Sequence, residues 1–220
     1  MKPLHLESPT LRRPAPPGQR YIDTFPIYDI TPNRPRFDPS SYRLRIWGAC
    51  DNPFELSWEA FKGLPRVEVV ADFHCVTGWS KRALRWEGVP VRLILERAQP
   101  WPGAVQVMAH GLEGYTTNVP LEYLWEEDAL LADTLNGAPL SPEHGAPVRL
   151  LVPQLYAWKS AKYLCGLELQ TEMQAGFWEE RGYHLIGDPW QEQRYGEPLE
   201  RVRSAWRQRI SRLERPSKGQ

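Results

Sequence analysis

Several stretches of this chain alternate apolar and polar positions with a period of two. Tyr42-Arg43-Leu44-Arg45-Ile46-Trp47 does so and stops at Gly48, which predicts a half-buried strand. Arg66-Val67-Glu68-Val69-Val70-Ala71 is rich in β-branched residues and predicts a second strand. Val105 to Ala109, Pro147 to Val152 and Leu164 to Thr171 read the same way. Ala129 to Asp133 and Pro139-Leu140 flank Asn136-Gly137, the signature of a two-residue hairpin turn.

Helical spacing is rarer and short. Ser57 is placed to cap a helix from Trp58 to Lys62 that stops at Gly63. Pro90 suits the start of a helix over Val91 to Ala98, with Leu93, Ile94, Arg97 and Ala98 on one side. Leu121 to Glu127 predicts a third helix, after Pro120. Strands and short helices follow one another without βαβ alternation. The expected fold class is α+β, with mixed β-sheets and short helices.

Three segments are expected. Residues 1–22 are polar and Pro-rich and read as an extended N-terminal arm. Residues 23–197 form the main domain. In residues 198–220, Val202, Trp206, Ile210 and Leu213 recur at helical spacing among six arginines, which predicts an amphipathic basic helix or tail.

Composition narrows the function mainly by exclusion. Lys plus Arg equals Asp plus Glu at 27 each, so no global charge points to nucleic acid. No run approaches the ~20 apolar residues of a transmembrane helix, and no apolar leader follows Met1. Cys50, Cys75 and Cys165 are odd in number and far apart, which fits neither a disulfide framework nor a zinc-finger spacing. A cytoplasmic protein is the expectation. Dinucleotide, Walker, HExxH and GxSxG motifs are missing from the sequence.

Three stretches carry candidate chemistry. In the first, Cys75 follows the Val67 strand within His74-Cys75-Val76-Thr77-Gly78-Trp79-Ser80, so its thiol sits on a loop held by a sheet. The bland alternative is an inert buried cysteine. The second runs from His144-Gly145-Ala146-Pro147-Val148-Arg149 to Lys159, Ser160, Ala161 and Lys162. An arginine in an apolar strand requires an anion or a carboxylate. These groups together can hold a phosphate; the alternative is a pairing of Arg149 with Glu168. In the third, Phe177-Trp178 and Gly182-Tyr183-His184 read as a pocket wall with a donor and a titrating group. His110 and Tyr115-Thr116-Thr117-Asn118 supply small polar groups, read as a loop after a strand. A Cys/His hydrolase would require His110, His144 or His184 as base, because His74 and Cys75, as strand neighbours, face opposite ways.

The ordered set Phe25-Pro26-Ile27-Tyr28, Asp38-Pro39, Tyr42-Arg43-Leu44, His74-Cys75-Val76-Thr77-Gly78-Trp79-Ser80, Trp86-Glu87-Gly88-Val89-Pro90 and Gly145-Ala146-Pro147-Val148-Arg149 resembles the molybdenum-cofactor domain of the sulfite oxidase superfamily. The resemblance runs from about residue 25 to residue 195 and is strongest to small bacterial sulfite-oxidase-like oxidoreductases. It implies a sulfite-oxidase-type molybdopterin-binding fold and a mononuclear molybdenum–molybdopterin cofactor ligated by Cys75. It further implies two-electron oxygen-atom transfer to or from a small-molecule substrate, with a protein electron donor or acceptor as partner. By position it places Tyr28, Asp29, His110, Thr117, His144, Arg149, Ser160, Ala161 and Lys162 at the cofactor, and Tyr183 or His184 beside the metal. Sulfite oxidases carry arginine shortly after the metal-binding cysteine; Val76, Thr77, Gly78 and Trp79 stand there in this chain. A module that binds the cofactor without catalysis is the second expectation, and the hydrolase a third.

Overall fold

A computed structural model describes residues 3–196; the expected basic tail lies outside the described residues. The strands, in chain order, are β1 (Leu4–Glu7), β2 (Arg20–Tyr21), β3 (Arg43–Gly48), β4 (Phe54–Ser57), β5 (Val67–His74) and β6 (Trp79–Pro90). They continue with β7 (Gln106–Gly111), β8 (Thr116–Pro120), β9 (Leu130–Leu135), β10 (Ala138–Pro139), β11 (Arg149–Leu151) and β12 (Leu164–Gln170). Three short helices, α1 (Trp58–Lys62), α2 (Val91–Ala98) and α3 (Leu121–Leu124), complete the set with several 3-10 turns.

Two mixed sheets result. One follows the order β1-β5-β6-β9-β10, with β2 also on β6 and β11 also on β9. The other follows β4-β3-β12-β7-β8. β1, β2 and β3 pair in parallel with β5, β6 and β12; the remaining pairings are antiparallel. The arm therefore contributes two strand edges to the first sheet.

Period-two alternation sorts the first sheet's side chains into two cores. Leu131 on β9 and Leu150 on β11 pack with Leu44, Ile46, Val107 and Leu167 of the second sheet. Their neighbours Leu130, Ala132 and Leu151 face the other way, onto Val69, Phe73, Trp79 and Trp86. Cys75 belongs to this second core, at the open end of β5. On α2 the buried residues are Val91, Ile94, Leu95 and Ala98, so Leu95 rather than Leu93 completes the stripe, and Arg97 instead lies over the Phe54 ring.

Three expectations from the pattern change. α3 ends at Leu124, not Glu127. The three acids that follow, Glu126 to Asp128, oppose a helix C-terminus, and Asp128 accepts a 2.5 Å hydrogen bond from Ser8 instead. Residues 116–120 are a buried strand, not a loop. Their polarity hid this, because Thr117 and Asn118 are wholly buried with internal partners. β6 is twelve residues long, and its run of Lys81, Arg82 and Arg85 masks the buried Leu84 and Trp86.

Candidate active site

β5 and β6 are joined by a tight turn that presents Cys75. Gly78 N donates to Cys75 O at 3.0 Å and Cys75 N donates to Trp79 O at 2.9 Å, so Cys75 and Gly78 bracket the turn. Gly78 takes a φ of 95°, a left-handed conformation that favours glycine. The Thr77 hydroxyl donates to Cys75 Sγ at 3.2 Å. His74, on the opposite face, bonds Ser80 Oγ through Nδ1 at 2.7 Å.

Cys75 opens onto a cavity of about 270 Å³. One wall is aromatic: Phe25, Trp79, Trp158, Trp178 and Tyr183. Tyr183 stacks on Trp178 with centroids 5.0 Å apart, and burial, with Tyr195 and Cys75 as neighbours, raises its phenol above the ordinary value. Its hydroxyl therefore stays protonated and can donate.

The other wall carries charge. Arg149 is buried on β11, where Nη1 donates to His144 O at 3.2 Å and Nη2 to Ser160 O at 3.0 Å. Its Nε has no partner, and among the described residues no carboxylate pairs with it. Glu168, the alternative partner, instead lies 3.1 Å from His110. Burial depresses the guanidinium to about 10. A buried cation without a counter-charge, facing a cavity, marks an anion site. Lys162 donates to Tyr28 O at 2.7 Å, to Glu143 O at 3.1 Å and to Asp29 Oδ1. It thereby ties the Phe25–Ile30 segment across the cavity. Asp29 is pushed up by burial, yet the Lys162 and Arg34 hydrogen bonds hold it below its usual range. His144 stacks on Phe25 at 4.4 Å, and burial together with Arg149 and Lys162 lowers its imidazole.

Of the residues singled out in the sequence, the structure brings Cys75, Tyr28, Asp29, His144, Arg149, Ser160, Lys162 and Tyr183 to one cavity. It does not bring His110, Thr117, Ala161 or His184 there. His110 packs at a tilt against Trp47, with ring centroids 5.1 Å apart, on the second sheet. Thr117 is spent on Glu179, and Ala161 is core. His184 turns its Nδ1 to the backbone N–H groups of Ile186 and Gly187. Lys159, grouped with the phosphate donors above, points instead into the core. Among the described residues the donor to Cys75 Sγ is a threonine, and of the three histidines the hydrolase alternative names as base only His144 lines the same cavity.

Sequence reasoning passed over Glu113 and Trp79 as site residues. Glu113 sits between Gly111 and Gly114, on the β7–β8 turn, with Oε2 buried and unpartnered. Burial pushes its carboxyl up to about 7. An acid flanked by glycines on a turn was the available signal. Trp79 Nε1 is also unpartnered. Three orphaned polar atoms, on Trp79, Glu113 and Arg149, thus belong to residues that line this cavity, and they fit a polar heterocycle carrying an anionic group.

The cavity has the build of a site for a polar, anionic cofactor. The family described as "Oxidoreductase molybdopterin binding domain" matches residues 31–178, and the chain belongs to it. It is 45% identical over 182 residues to the oxidoreductase YuiH of Bacillus subtilis (strain 168), covering 82% of this chain and 91% of that one. It is 32% identical over 157 residues to the protein-methionine-sulfoxide reductase catalytic subunit MsrP of Xanthomonas axonopodis pv. citri (strain 306), covering 64% of this chain and 48% of that one. Human mitochondrial sulfite oxidase is 29% identical over 197 residues, covering 75% and 36%. The chain thus spans about half or less of those last two proteins. The crystal structure of the sulfane dehydrogenase SoxCD from Paracoccus pantotrophus superposes with a TM-score of 0.58 at 23% identity, over 63% of this chain and 40% of that one, which shows a shared fold. No described helix is long and apolar enough to cross a membrane.

Proposed function

We propose that the cavity holds a mononuclear molybdenum–molybdopterin cofactor with Cys75 as the protein's thiolate ligand, and that the enzyme transfers an oxygen atom to or from a small, uncharged substrate. The observation that carries this is the pairing, in one cavity, of a sheet-held thiol with a buried, uncompensated Arg149. The bound group would supply soft dithiolene donors to the metal and the two-electron redox chemistry.

The residues divide the remaining work. Arg149, Lys162 and Ser160 would hold the anionic end of the cofactor, with His144 and Glu113 at its polar edge. The Phe25–Ile30 segment, tied down by Lys162, shields it from water. Thr77 donates to the sulfur and so fixes its orientation in the cavity. Tyr183 keeps a proton on its oxygen and would offer it as a hydrogen bond to a substrate oxygen.

Substrate charge follows from the lining. Val76, Thr77, Trp79, Trp178 and Tyr183, which line the cavity together with Cys75, carry no charge. The cavity's cations, Arg149 and Lys162, would be taken up by the anionic end of the cofactor. A sulfoxide or N-oxide fits such a surface better than sulfite does. The electron partner would be a separate protein, and the free thiols of Cys50, Cys75 and Cys165 favour the cytoplasm.

Elemental analysis tests the reading. Protein purified from a host that makes the cofactor should carry about one molybdenum per chain and release a fluorescent pterin, and Cys75→Ser should lack activity toward every oxo compound that the wild type reduces. Wild-type protein without molybdenum would overturn it.

A further inference from the structure

The family match stops at residues 31 and 178, yet the turn that carries Cys75 is held from outside that span on both sides. On the N-terminal side, Gln19 Nε2 donates to Cys75 O at 3.0 Å. Gln19 Oε1 accepts from Ser80 Oγ at 3.0 Å, and Arg20 N donates to Gly78 O at 2.9 Å. On the C-terminal side, Arg194 Nη1 donates to Val76 O, and its Nη2 donates to Pro17 O at 3.3 Å. The flanks also grip each other. Arg13 lies 3.8 Å over the Trp190 ring, whose Nε1 donates to Pro14 O at 2.9 Å.

Arg194 and Arg20 reach carbonyls that the turn itself leaves free, and Gln19 adds a second donor to the Cys75 carbonyl. In a four-residue turn the first carbonyl accepts from the fourth N–H, and that bond is present here between Cys75 and Gly78. The central peptide, Val76 C=O to Thr77 N–H, takes no part in it. Its orientation distinguishes the common turn types, and Thr77, whose φ is not positive, keeps it out of type II. A rotation of that peptide would re-aim Thr77, whose hydroxyl is the donor to Cys75 Sγ. Arg194 holds the Val76 oxygen with a charged donor, and charge-assisted bonds are about twice as strong as neutral ones.

We propose that Arg194 and Gln19 are positioning residues that hold the Cys75 turn in place and so keep the Thr77 hydroxyl aimed at the sulfur. The sulfur's environment is then completed by the two flanks and not by the matched domain alone. The consequence for a bound metal rests on the reading of Cys75 as ligand; the holding of the turn does not.

The test uses the full-length protein with its cofactor and reads backbone hydrogen exchange together with the visible sulfur-to-metal absorption. Arg194→Ala should speed exchange in residues 75–79 by about tenfold, with smaller changes elsewhere, while Arg194→Lys keeps most of the protection. Gln19→Ala should act in the same segment, more weakly. Arg194→Ala and Thr77→Val should shift the absorption to a similar position, and the double variant should add little to either. Unchanged exchange at 75–79 in a folded Arg194→Ala protein would overturn the proposal. So would a uniform rise across the whole chain, or absorption shifts of Arg194→Ala and Thr77→Val that simply add. Protein found without molybdenum would refute the cofactor reading alone, since the exchange arm reads the turn with or without metal.

Discussion

Lys159 and Glu179 form an ion pair of 2.5 Å with neither side chain reaching solvent. Lys159 Nζ also donates to Asn118 O and Oδ1 at 2.8 Å and to Leu185 O at 2.7 Å. Glu179 Oε1 collects Thr117 Oγ1 and Trp158 Nε1, both at 2.9 Å. This knot fastens the 3-10 turn bearing Trp158 to the segment bearing Trp178 and Tyr183, which gives the cavity its aromatic wall. Removing one partner leaves a buried charge alone, at a cost of about 3–5 kcal/mol. Lys159→Met should therefore lower urea stability by that amount, and Lys159→Met/Glu179→Leu should recover part of it. A single variant as stable as the wild type would show that the pair carries no such role.

Arg149 has a different task, and its loss should have a different signature. Its partners are two backbone carbonyls and the faces of Phe73 and Trp86, at 5.0 and 5.2 Å from Cζ. An anion is what its geometry lacks. Arg149→Met keeps the apolar volume and removes the donors. Molybdenum and pterin content on purification should fall by roughly ten- to a hundredfold, the worth of a charge-assisted bond, with the far-ultraviolet circular dichroism unchanged. Retention of a full cofactor complement by this variant would move the anion site elsewhere.

Gly145 sets the position of Lys162. Its φ of 104° is in the left-handed region, and a Cβ there would stand 2.8 Å from Lys162 Cβ and 2.9 Å from its Cγ. Gly145→Ala carries both the backbone strain and that clash, so it should cost about 1–3 kcal/mol. It should also push Lys162 away from Tyr28 and Asp29, which opens the cavity. Limited proteolysis within residues 23–34 should then become faster than in the wild type, and an unchanged cleavage rate would count against this coupling.

The sequence made the thiol and the cation legible for a physical reason. A strand pattern ending in Cys75, and an arginine between Val148 and Leu150, are local conflicts with a simple core, and such conflicts gather at functional sites. His110 and His184 shared the chemistry of site residues but not their placement. His110 lies on a strand of the second sheet, and His184 caps the backbone two residues ahead of it, facts fixed by topology and not by neighbouring residues. Lys159 looked like Lys162 because both are lysines near one turn. Only the packed structure shows that one meets Glu179 in the core and the other meets Asp29 at the cavity. The hold of Gln19 and Arg194 on the Cys75 turn spans 56 and 118 residues of chain, beyond any local pattern.

Glu113 offers a test by pH. Burial raises its carboxyl from 4.5 to about 7, with Lys162 opposing and Asp29 adding to the rise. Between those values the folded chain keeps a proton that the unfolded chain has released. Stability from this group is therefore full below about 4.5 and is lost as pH climbs through 7. His144 and His184 are lowered, by burial first, and so act in the opposite sense toward the upper part of the same window. Asp29 and Glu143 are held below their ordinary values and act at more acid pH. The wild-type slope alone is thus a sum, and the difference between wild type and Glu113→Gln isolates the carboxyl. In the cofactor-free chain, Glu113→Gln should match the wild type in urea near pH 4.5 and exceed it above pH 7. Parallel stability curves across that range would show that Glu113 titrates like an exposed acid, and the polar edge assigned to it in the cavity would then fall.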